Sequence, residues 1–542
     1  MSGLLFQATS FFFFVFLVAN SISWICLWEE KEYDLRRLII YIRETKKGRD
    51  RLFGRESIIK WVLIFLYSAT IFTNSYDNLY HFVVAFFYFY LFLQVIKKVQ
   101  ERDFALFSMT PITISIFSLT LLFELFLFMF SPLDHFLWIL IIDKLTPLLI
   151  AIIILFFSVF FDFNKDVIIN RALSKIAKQR NLLTIAVVGS YGRGSTREFI
   201  SQVLSSKYNV VETKTTFNTA LGIAKTIVAD LTPKKQIFIA EMEDYRLGDI
   251  EEMASIINPK IAVICGINEQ KMSEFGTIDK VLDSKYEVIE SLARDGIALF
   301  DGNNKNSIEL YSKTRVKKFI YSVAQVNLRA QAGPNADIMA QNVKETKLGL
   351  SFDVVLLGKK YSLSDIKLIG RHNIENLLPA IFIGAYMGID FSRIRRAILN
   401  IKPLPSAFEP RKTAKGTIVI DDTYNANINS VLRAAAYARH YKGRKIIVLE
   451  PLIELGRYAE VEHEKLGEQI GHAFDTIFLT NQNYYKALLK GIKKSKSRAV
   501  VSVSSPAKIM EYIKKRGKED VAIFEGREAR ASLQPLKTQP VY

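Results

Sequence analysis

A glycine-rich segment between a strand pattern and a helix pattern has the residue types of a phosphate-binding loop. It reads Gly189-Ser190-Tyr191-Gly192-Arg193-Gly194-Ser195-Thr196 and precedes a helical stretch at 197–204. Glycines let backbone N–H groups approach phosphate oxygens, and the dipole of the following helix attracts negative charge. Loops of this kind usually carry Lys and then Ser or Thr, where this chain has Arg193 and Gly194. The segment alone is compatible with a phosphate site or with an ordinary strand-to-helix turn.

The elements that would position this loop follow an α/β pattern. After residue 181, short β-branched runs alternate with amphipathic helical stretches, which predicts mostly parallel sheets. A first block has predicted strands at 182–189, 235–241, 260–266 and 296–301, and a second at 416–421, 445–450, 476–480, 499–504 and 521–525. The stretch 303–368 alternates less regularly and is interpreted as an antiparallel extension of the first block. A hinge is expected at 402–410, which contains three prolines.

The region before residue 163 is apolar and aromatic. The chain has 542 residues, 50% of them hydrophobic, with 40 Phe and a mean hydropathy of +0.16. Five stretches approach the roughly 20 apolar residues that a membrane-spanning helix needs. They lie at about 5–27, 57–75, 79–97, 107–131 and 135–162. Residues 1–165 are therefore predicted to form a transmembrane helical domain.

The formal net charge of +18 has its simplest explanation in this membrane prediction. Basic residues cluster at 31–55, between the first two apolar stretches, and again after the last one. The positive-inside rule places both clusters in the cytoplasm, together with the domains that follow. We expect a multi-pass protein of the cell membrane with membrane lipid as a partner, since basic loops bind anionic headgroups. Nucleic acid is not an expected partner.

The cysteine content and one pair of ionisable residues bear on other kinds of site that the chain could have. The chain has only Cys26 and Cys265, which excludes a disulfide framework or a cysteine zinc site. Asp143 and Lys144, followed by Pro147, lie inside the last apolar stretch. They are interpreted either as an intramembrane functional site, because charges in lipid are costly, or as a helix end or kink near the interface. The second interpretation is favoured.

An ordered set of motifs from 181 to 535 resembles the Mur ligases, and within them the type that adds D-alanyl-D-alanine to a cell-wall tripeptide precursor. The motifs are the loop at 189–198, Phe217-Asn218-Thr219 with Gly222, Ile239-Ala240-Glu241-Met242, Phe275-Gly276, Lys285-Tyr286-Glu287, Gly370-Arg371-His372-Asn373-Ile374-Glu375-Asn376, Asp421-Asp422-Thr423-Tyr424-Asn425-Ala426-Asn427, and Leu452-Ile453-Glu454-Leu455-Gly456 followed by His463.

The resemblance implies a fold and an activity. It implies a P-loop-type Mur ligase central ATP-binding domain at 181–400 and a Rossmann-like C-terminal domain at 411–542. The implied activity is an ATP-dependent amide ligase of peptidoglycan synthesis, with ATP and Mg²⁺, that works through an acyl phosphate. The implied partners are a cell-wall peptide precursor and a dipeptide or amino-acid amine donor.

The resemblance also implies roles for individual residues. The implied catalytic residues are Lys285, Arg193 and His463. The implied metal ligands are Glu241, Ser195 and Lys285, the last as a carbamylated lysine at a second metal ion. The implied nucleotide-binding residues are Gly189, Ser190, Gly192, Arg193, Gly194, Ser195, Thr196, His372, Asn373, Asn376, Asp422, Tyr424 and Asn425. Asn373 could equally be a helix N-cap.

Several departures from the family pattern fall on the chemistry. Arg193 and Gly194 stand in place of Lys and Thr, and Lys271 stands in place of a metal-binding His. Ala407 replaces a hinge Arg, and Glu243 with Asp244 replace small uncharged residues. Because phosphoryl transfer depends on charge neutralisation, a weakened or absent activity is one hypothesis. Compensation by the remaining cations is the other.

Three interpretations of function follow. The first is a membrane-anchored amide ligase of cell-wall synthesis. The second is a catalytically impaired membrane scaffold or nucleotide sensor with the same fold, and the third a ligase that resembles poly-γ-glutamate synthase. Apolar helices stand where soluble family members carry a UDP-binding domain. A lipid-linked or membrane-proximal acceptor is therefore expected.

Overall fold

The computed structural model describes residues 2–44, 46–70, 77–100, 106–130, 134–214, 216–269, 271–324, 336–347 and 349–541. The chain divides into two compact units, Met1–Asp166 and Val167–Tyr542.

The first unit is helical. Its helices are α1 (Ser2–Glu30), α2 (Leu35–Glu44), α3 (Lys46–Phe53), α4 (Arg55–Thr70), α5 (Asp77–Gln100), α6 (Pro111–Met129) and α7 (His135–Ala177), the last of which continues into the second unit. Among the described residues, four helical segments are long and apolar enough to cross a membrane. They are Leu4–Glu30, Leu79–Gln100, Pro111–Met129 and His135–Ser158.

The structure bears directly on two of the membrane predictions. The predicted span at 57–75 coincides with α4, of which 16 residues are described, and its last part lies outside the described residues. The favoured interpretation of Asp143 and Lys144 is a helix end or a kink near the interface. A helix end is wrong, because α7 runs from His135 to Ala177; Pro147 lies inside this helix, so a kink stays a prediction.

Asp143 instead belongs to a buried polar cluster among the apolar helices. Its Oδ2 lies 2.5 Å from Lys60 Nζ and accepts a hydrogen bond from the Tyr88 hydroxyl at 3.0 Å. Glu124, in the same unit, accepts a hydrogen bond from the Thr146 hydroxyl at 2.8 Å. Burying a charge is costly unless it is paired, so these contacts allow ionisable side chains inside apolar helices.

The central domain is built on one large sheet. Its strands are β1 (Leu183–Val188), β2 (Val210–Glu212), β3 (Ile237–Glu241), β4 (Ile261–Ile264), β5 (Ile297–Asp301), β6 (Lys317–Val323), β7 (Ile338–Glu345), β8 (Leu350–Leu356) and β9 (Lys359–Ile366). The strand order is β2-β3-β1-β4-β5-β6-β7-β8-β9. Neighbours from β2 to β7 pair in parallel, and β8 and β9 add antiparallel pairs.

Helices cover both faces of this sheet. They are α8 (Arg193–Leu204), α9 (Ala220–Asp230), α10 (Asp249–Ile257), α11 (Met272–Phe275), α12 (Ile278–Glu290), α13 (Lys305–Lys313), α14 (His372–Tyr386) and α15 (Phe391–Leu399). One hydrophobic core packs α8 and α14 on one face, and a second packs α9, α10 and α12 on the other. Strands buried on both faces are near-continuous apolar runs, as in Ile237–Glu241, where every residue is buried.

The C-terminal domain has a second, mostly parallel sheet. Its strands are β10 (Glu409–Lys412), β11 (Ile418–Asp422), β12 (Lys445–Leu449), β13 (Thr476–Leu479), β14 (Val500–Val503), β15 (Val521–Glu525) and β16 (Gln539–Pro540), in the order β14-β13-β12-β15-β11-β10-β16. Its helices are α16 (Ile428–Ala438), α17 (Ala459–Ile470), α18 (Tyr485–Lys494), α19 (Pro506–Lys514) and α20 (Arg530–Leu533).

The α/β prediction is confirmed strand by strand. Every strand predicted in the two blocks is present, with ends within two residues of those expected. The antiparallel interpretation of 303–368 holds for β8 and β9, but β6 and β7 continue the parallel sheet. The expected hinge corresponds to the coil between α15 and β10.

The buried pair in the helical unit gives a test of stability. Asp143→Leu leaves the Lys60 ammonium without its partner, so we expect the free energy of unfolding in detergent to fall by about 3 to 5 kcal/mol. The double variant Lys60→Met, Asp143→Leu should recover most of this loss. Glu30→Gln, which breaks the exposed pair with Lys31, is the control and should cost less than about 1 kcal/mol. An equal loss in the single and double variants would contradict the pairing.

Candidate functional site

The glycine-rich loop lies at the carboxyl edge of the central sheet, where three neighbouring strands end together. Val187 of β1 is opposite Glu241 of β3, and Val188 is opposite Ile264 of β4. The backbone N–H groups of Ser190 and Tyr191 both donate to the Gly266 carbonyl, at 2.8 and 3.2 Å. The loop is thereby tied to the segment that follows β4.

Gly192 holds the turn that starts α8. Its φ is 81° and it is the N-cap residue of the helix. A Cβ at this position would lie 2.6 Å from Asn376 Oδ1, so both backbone conformation and space require glycine. The Thr196 hydroxyl, one turn further, donates to the same Asn376 oxygen at 3.4 Å. The loop and α14 are thus in direct contact.

Arg193 folds over the loop and onto two carboxylates. Its Nη1 donates to the Gly189 carbonyl at 2.6 Å, and its Nη2 lies 3.1 Å from Glu243 Oε1. Its Nε lies 3.7 Å from Glu241 Oε1. The guanidinium therefore occupies the groove between the loop and the end of β3.

A second arginine, Arg197, closes the other side of Glu241. Arg197 Nε and Glu241 Oε2 lie 3.5 Å apart, an ion-pair distance, and Arg197 Nη1 lies 3.0 Å from Glu212 Oε2. Arg197 and Glu241 are only 2% and 3% exposed. Sequence analysis missed Arg197. The sequence feature that could have identified it is a basic residue one turn after the loop.

Two lysines complete the cluster through Asp244. Lys271 Nζ donates to the Asp244 carbonyl at 2.6 Å and lies 2.9 Å from Glu243 Oε1. Lys285 Nζ donates to Asp244 Oδ1, and the Ser284 hydroxyl donates to Oδ2 at 2.6 Å. Lys271 adopts a left-handed φ of 69°.

The pKa values follow these contacts. Burial alone would raise the pKa of Glu243, but Lys271 and Arg193 outweigh it and hold it well below its ordinary value. For Asp244, burial is likewise outweighed, by Lys285 and then Lys271, and the pKa is lowered. Burial lowers the pKa of Lys285 to about 8 although Asp244 acts to raise it. Lys285 is therefore mainly an ammonium at neutral pH.

Mg²⁺ does not fit this set of side chains as they are arranged. The described residues contain no group of three His, Cys, Asp or Glu side chains that could hold a metal ion. Glu241 is paired with two arginines, and Lys285 with Asp244. Ser195 lies half-buried in the first turn of α8. The expected metal ligands Glu241, Ser195 and Lys285 are therefore not assembled around a common cation site.

Gly194 lies beside the acidic end of β3. A Cβ built there would be 3.5 Å from Glu241 Oε2. A threonine at this position would bring its side chain close to that carboxylate. Because this chain has Gly194, it lacks the threonine hydroxyl that the family pattern has beside Glu241.

The α14 residues of the predicted nucleotide site are buried and have different roles. Burial holds the pKa of His372 well below its ordinary value, so the ring is neutral. It packs edge-on against Phe408 with ring centroids 5.0 Å apart. The Asn373 side chain donates to the Ile369 carbonyl at 2.7 Å, inside the helix start, where Arg371 is the N-cap residue. Asn373 therefore stabilises this turn without being its cap.

The C-terminal domain contributes side chains to the same place. Arg433 lies over the Tyr191 ring at 5.4 Å from its centroid. Partial burial raises the pKa of Tyr424, and the charges of Glu241 and Glu243 raise it further. Burial also raises the pKa of Asp422 to about 6. Asn425 follows Tyr424 in the same segment and is half-buried.

The coil between α15 and β10, where a hinge is expected, contacts these C-terminal groups. Ser406 and Phe408 have left-handed φ values of 59° and 56°. The Ser406 hydroxyl donates to Asp421 Oδ2 at 3.2 Å, and the Phe408 N–H donates to Asp422 Oδ1 at 3.1 Å. Ala407, between them, has no charged group to offer a phosphate.

His463 is bound to the backbone through both ring nitrogens. Its Nε2 accepts from the Leu452 N–H at 2.9 Å, and its Nδ1 is 2.6 Å from the Ala459 carbonyl. The ring stacks on Tyr484 with centroids 4.4 Å apart. Contrary to the catalytic role expected for it, neither nitrogen is available for proton transfer in this arrangement. His463 joins the segment after β12 to α17.

Comparison with known proteins agrees with this geometry. Residues 187–384 match the Mur ligase middle domain, and residues 408–527 match the Mur ligase glutamate ligase domain. The chain belongs to the Mur ligase family. The two matched segments are the two domains whose edges form the site.

Individual relatives show how far the likeness extends. The UDP-N-acetylmuramoyl-tripeptide--D-alanyl-D-alanine ligase of Bacillus subtilis (strain 168) is 28% identical over 308 residues, which is 55% of this chain and 63% of that protein. The chain therefore spans less than two thirds of this relative's length. MurF from Acinetobacter baumannii has a TM-score of 0.61 at 20% identity, over 69% of this chain and 79% of its own. MurF from Thermotoga maritima in complex with ADP has a TM-score of 0.59 at 20% identity, over 68% and 82%.

The turn at Gly192 can be tested against a matched glycine. Gly192→Ala should lose about 1 to 2 kcal/mol of unfolding free energy from the left-handed backbone, and about 1 kcal/mol more because Asn376 must move and release Thr196. Gly248 is also an N-cap glycine, with φ 89°, and a Cβ added there would meet no atom within 4 Å. Gly248→Ala should show only the backbone loss. Equal losses in denaturant unfolding would refute the Asn376 contact.

The structural role of His463 predicts a pH dependence. Burial lowers its pKa from 6.5 to about 4, so the neutral ring stabilises the fold above pH 6.5, and this stability is lost as the pH falls toward 4. The difference in unfolding free energy between wild type and His463→Ala should be about 2 kcal/mol at neutral pH and shrink over this range. His472→Ala, at an exposed histidine, is the control. A difference independent of pH would contradict this assignment.

Proposed function

We propose that the chain is a membrane-anchored, ATP-dependent acid–amino-acid ligase that extends a cell-wall peptide precursor. The observation that carries the proposal is the meeting of both domains at the loop. Arg433 of the C-terminal domain lies over the ring of Tyr191, which belongs to the Gly189–Thr196 loop of the central domain. A ligase needs such a place, where an acid, a nucleotide and an amine can be held together.

The proposed chemistry has two steps. A carboxylate oxygen of the precursor attacks the γ-phosphorus of ATP, which forms an acyl phosphate and releases ADP. The amine nitrogen of the donor then attacks the acyl carbon, an amide bond forms, and phosphate and a proton leave. The chain's own contribution is positive charge near the phosphates, from Arg193 and Lys271, and loop N–H groups at the start of α8.

We assign the amine side of the reaction to the C-terminal domain. Tyr424 is 41% exposed, and the neighbouring Asn425 can donate and accept hydrogen bonds. By similarity to the D-alanyl-D-alanine ligases, the donor would be that dipeptide. The apolar helices would keep the reaction at the cytoplasmic face of the cell membrane, with a lipid-linked or membrane-proximal acceptor.

A second candidate function is a catalytically impaired scaffold or nucleotide sensor with the same fold. The observation that favours it is the closed set of ion pairs around Arg193, Glu243 and Lys271. The space lined by Ser190, Arg193, Lys271, Phe275, Val281 and Lys285 has no room for a water molecule. A substrate phosphate must displace these contacts to enter.

Turnover of the full-length protein in nanodiscs tests the first candidate. We expect ADP release that requires both a muramoyl-tripeptide precursor and D-alanyl-D-alanine, with a product whose mass equals the sum of the two minus water. Phosphate release and mass spectrometry measure the two halves of the reaction.

The double variant Arg193→Lys, Gly194→Thr restores the family pair and separates the two candidates. If only this variant turns over, the natural chain is the impaired form, whereas turnover by the natural chain supports the ligase. Arg246→Lys, at an exposed surface pair with Asp249, is the matched control and should leave the rate unchanged. If the rate of ADP release is the same with and without the two substrates, the chain is not a ligase.

A further inference from the structure

The departures from the family pattern form one bonded cluster. The resemblance implies a second metal ion that a carbamylated Lys285 helps to hold, and a metal-binding histidine where this chain has Lys271. In this structure, both positions carry an ammonium group, and both bond Asp244. Asp244 is fully buried, Lys285 is 1% exposed and Lys271 is 5% exposed. The two lysines and Asp244 therefore fill the region that would hold the second metal.

Asp244 also opposes modification of Lys285. Carbamylation converts the ammonium into an anion, which would then lie against the Asp244 carboxylate in a buried place. The Ser284 hydroxyl holds the other Asp244 oxygen at 2.6 Å, so the carboxylate is fixed from both sides. Like charges in a low-dielectric interior repel strongly. Lys285 is thus held as an unmodified ammonium.

The ion pairs of the cluster leave no free negative charge for a metal ion. Four basic side chains face four carboxylates, so the charges of the cluster balance without a divalent cation. The basic groups are Arg193, Arg197, Lys271 and Lys285, and the carboxylates are Glu212, Glu241, Glu243 and Asp244. A divalent cation would add uncompensated positive charge, whereas a phosphate group can compete with the carboxylates for the same cations.

We infer that Lys271 takes the place of the second metal ion, and that this chain binds the phosphates of its nucleotide through side-chain cations without a divalent metal. The inference rests on the proposed function for the nucleotide as ligand. Phosphate oxygens would compete with Glu243 for Arg193 and Lys271, the two cations that this carboxylate shares. Such charge-assisted bonds are the strongest polar contacts available for a phosphate.

Equilibrium binding of ATP to the full-length protein in detergent is the first test. The Kd should agree within about threefold between buffer with EDTA and buffer with Mg²⁺, a difference of less than about 1 kcal/mol. Lys271→Met should weaken binding in EDTA by about tenfold or more. Lys280→Met, at an exposed lysine of α12, is the control and should bind as wild type. A Kd in EDTA more than about tenfold weaker than in Mg²⁺ would overturn the inference.

A second variant gives an effect of opposite sign. Glu243→Gln removes the carboxylate that competes with phosphate, so ATP should bind several-fold more tightly in EDTA. A purely structural role for Glu243 would leave the Kd unchanged or weaken binding. Lys271→Arg keeps the positive charge and should retain most of the affinity, which separates loss of charge from a folding defect. Weak binding by Lys271→Arg in a folded protein would count against the inference.

Carbamylation can be measured directly, without turnover. Carbon-13 NMR with labelled bicarbonate should show no carbamate signal in the wild type, and a signal lost in Lys285→Arg would overturn the inference. Metal-independent ATP binding without ligation would refute the proposed function alone. Ligation that requires Mg²⁺ and a carbamate would refute the inference alone, and no ATP binding in either buffer would refute both.

Discussion

Mutual pairing of buried charges at the carboxyl edge of the central sheet is the constraint on which the site depends. A charged group taken out of water is costly unless an opposite charge and hydrogen bonds replace its solvent. Here, Glu241 lies between two arginines, the Asp244 carboxylate is paired with Lys285, and Glu243 is paired with Lys271. The left-handed backbone of Lys271 is held by the same contacts. The loop, the segment after β3 and the middle of α12 are therefore fixed as one unit.

This pairing changes how the unusual residues are understood. Taken one at a time, Arg193 and Lys271 are losses of a phosphate lysine and a metal ligand. In the structure, Glu243 lies within ion-pair distance of both, so the added acid and the added bases balance one another. The longer reach of an arginine allows Arg193 to meet Glu243 and the Gly189 carbonyl at the same time. These substitutions thus act as a single change of site chemistry.

The same rule explains the ionisable residues among the apolar helices. The sequence pattern favours a helix end or kink at Asp143, because a charge in an apolar run is costly. Its partners in the fold, Lys60 and Tyr88, come from two other helices. The cost is offset by contacts between elements that are distant in the chain, and local pattern gives no sign of them.

The sequence by itself determined the elements and their places. Strand positions, the loop before α8, the membrane-length helices and the two ligase-like domains all follow from local periodicity, glycine placement and ordered motifs. These signals are local because burial on one or both faces of an element repeats along the chain. The ordered motifs also single out residues that lie at the site, such as Glu241, Lys285 and Asn376.

Only the tertiary structure decided what those residues contact. Pairing, burial and hydrogen bonding depend on distances between side chains from separate elements. The sequence shows Glu243 and Asp244 only as extra negative charge, whereas the fold makes them the partners of Arg193, Lys271 and Lys285. His463 is expected in catalysis from its motif, but the fold gives both its nitrogens to the backbone. The chemistry of a buried site depends on which charged side chains the fold brings within a few ångströms of one another. The order of residues in the sequence does not give the distances between side chains of separate elements.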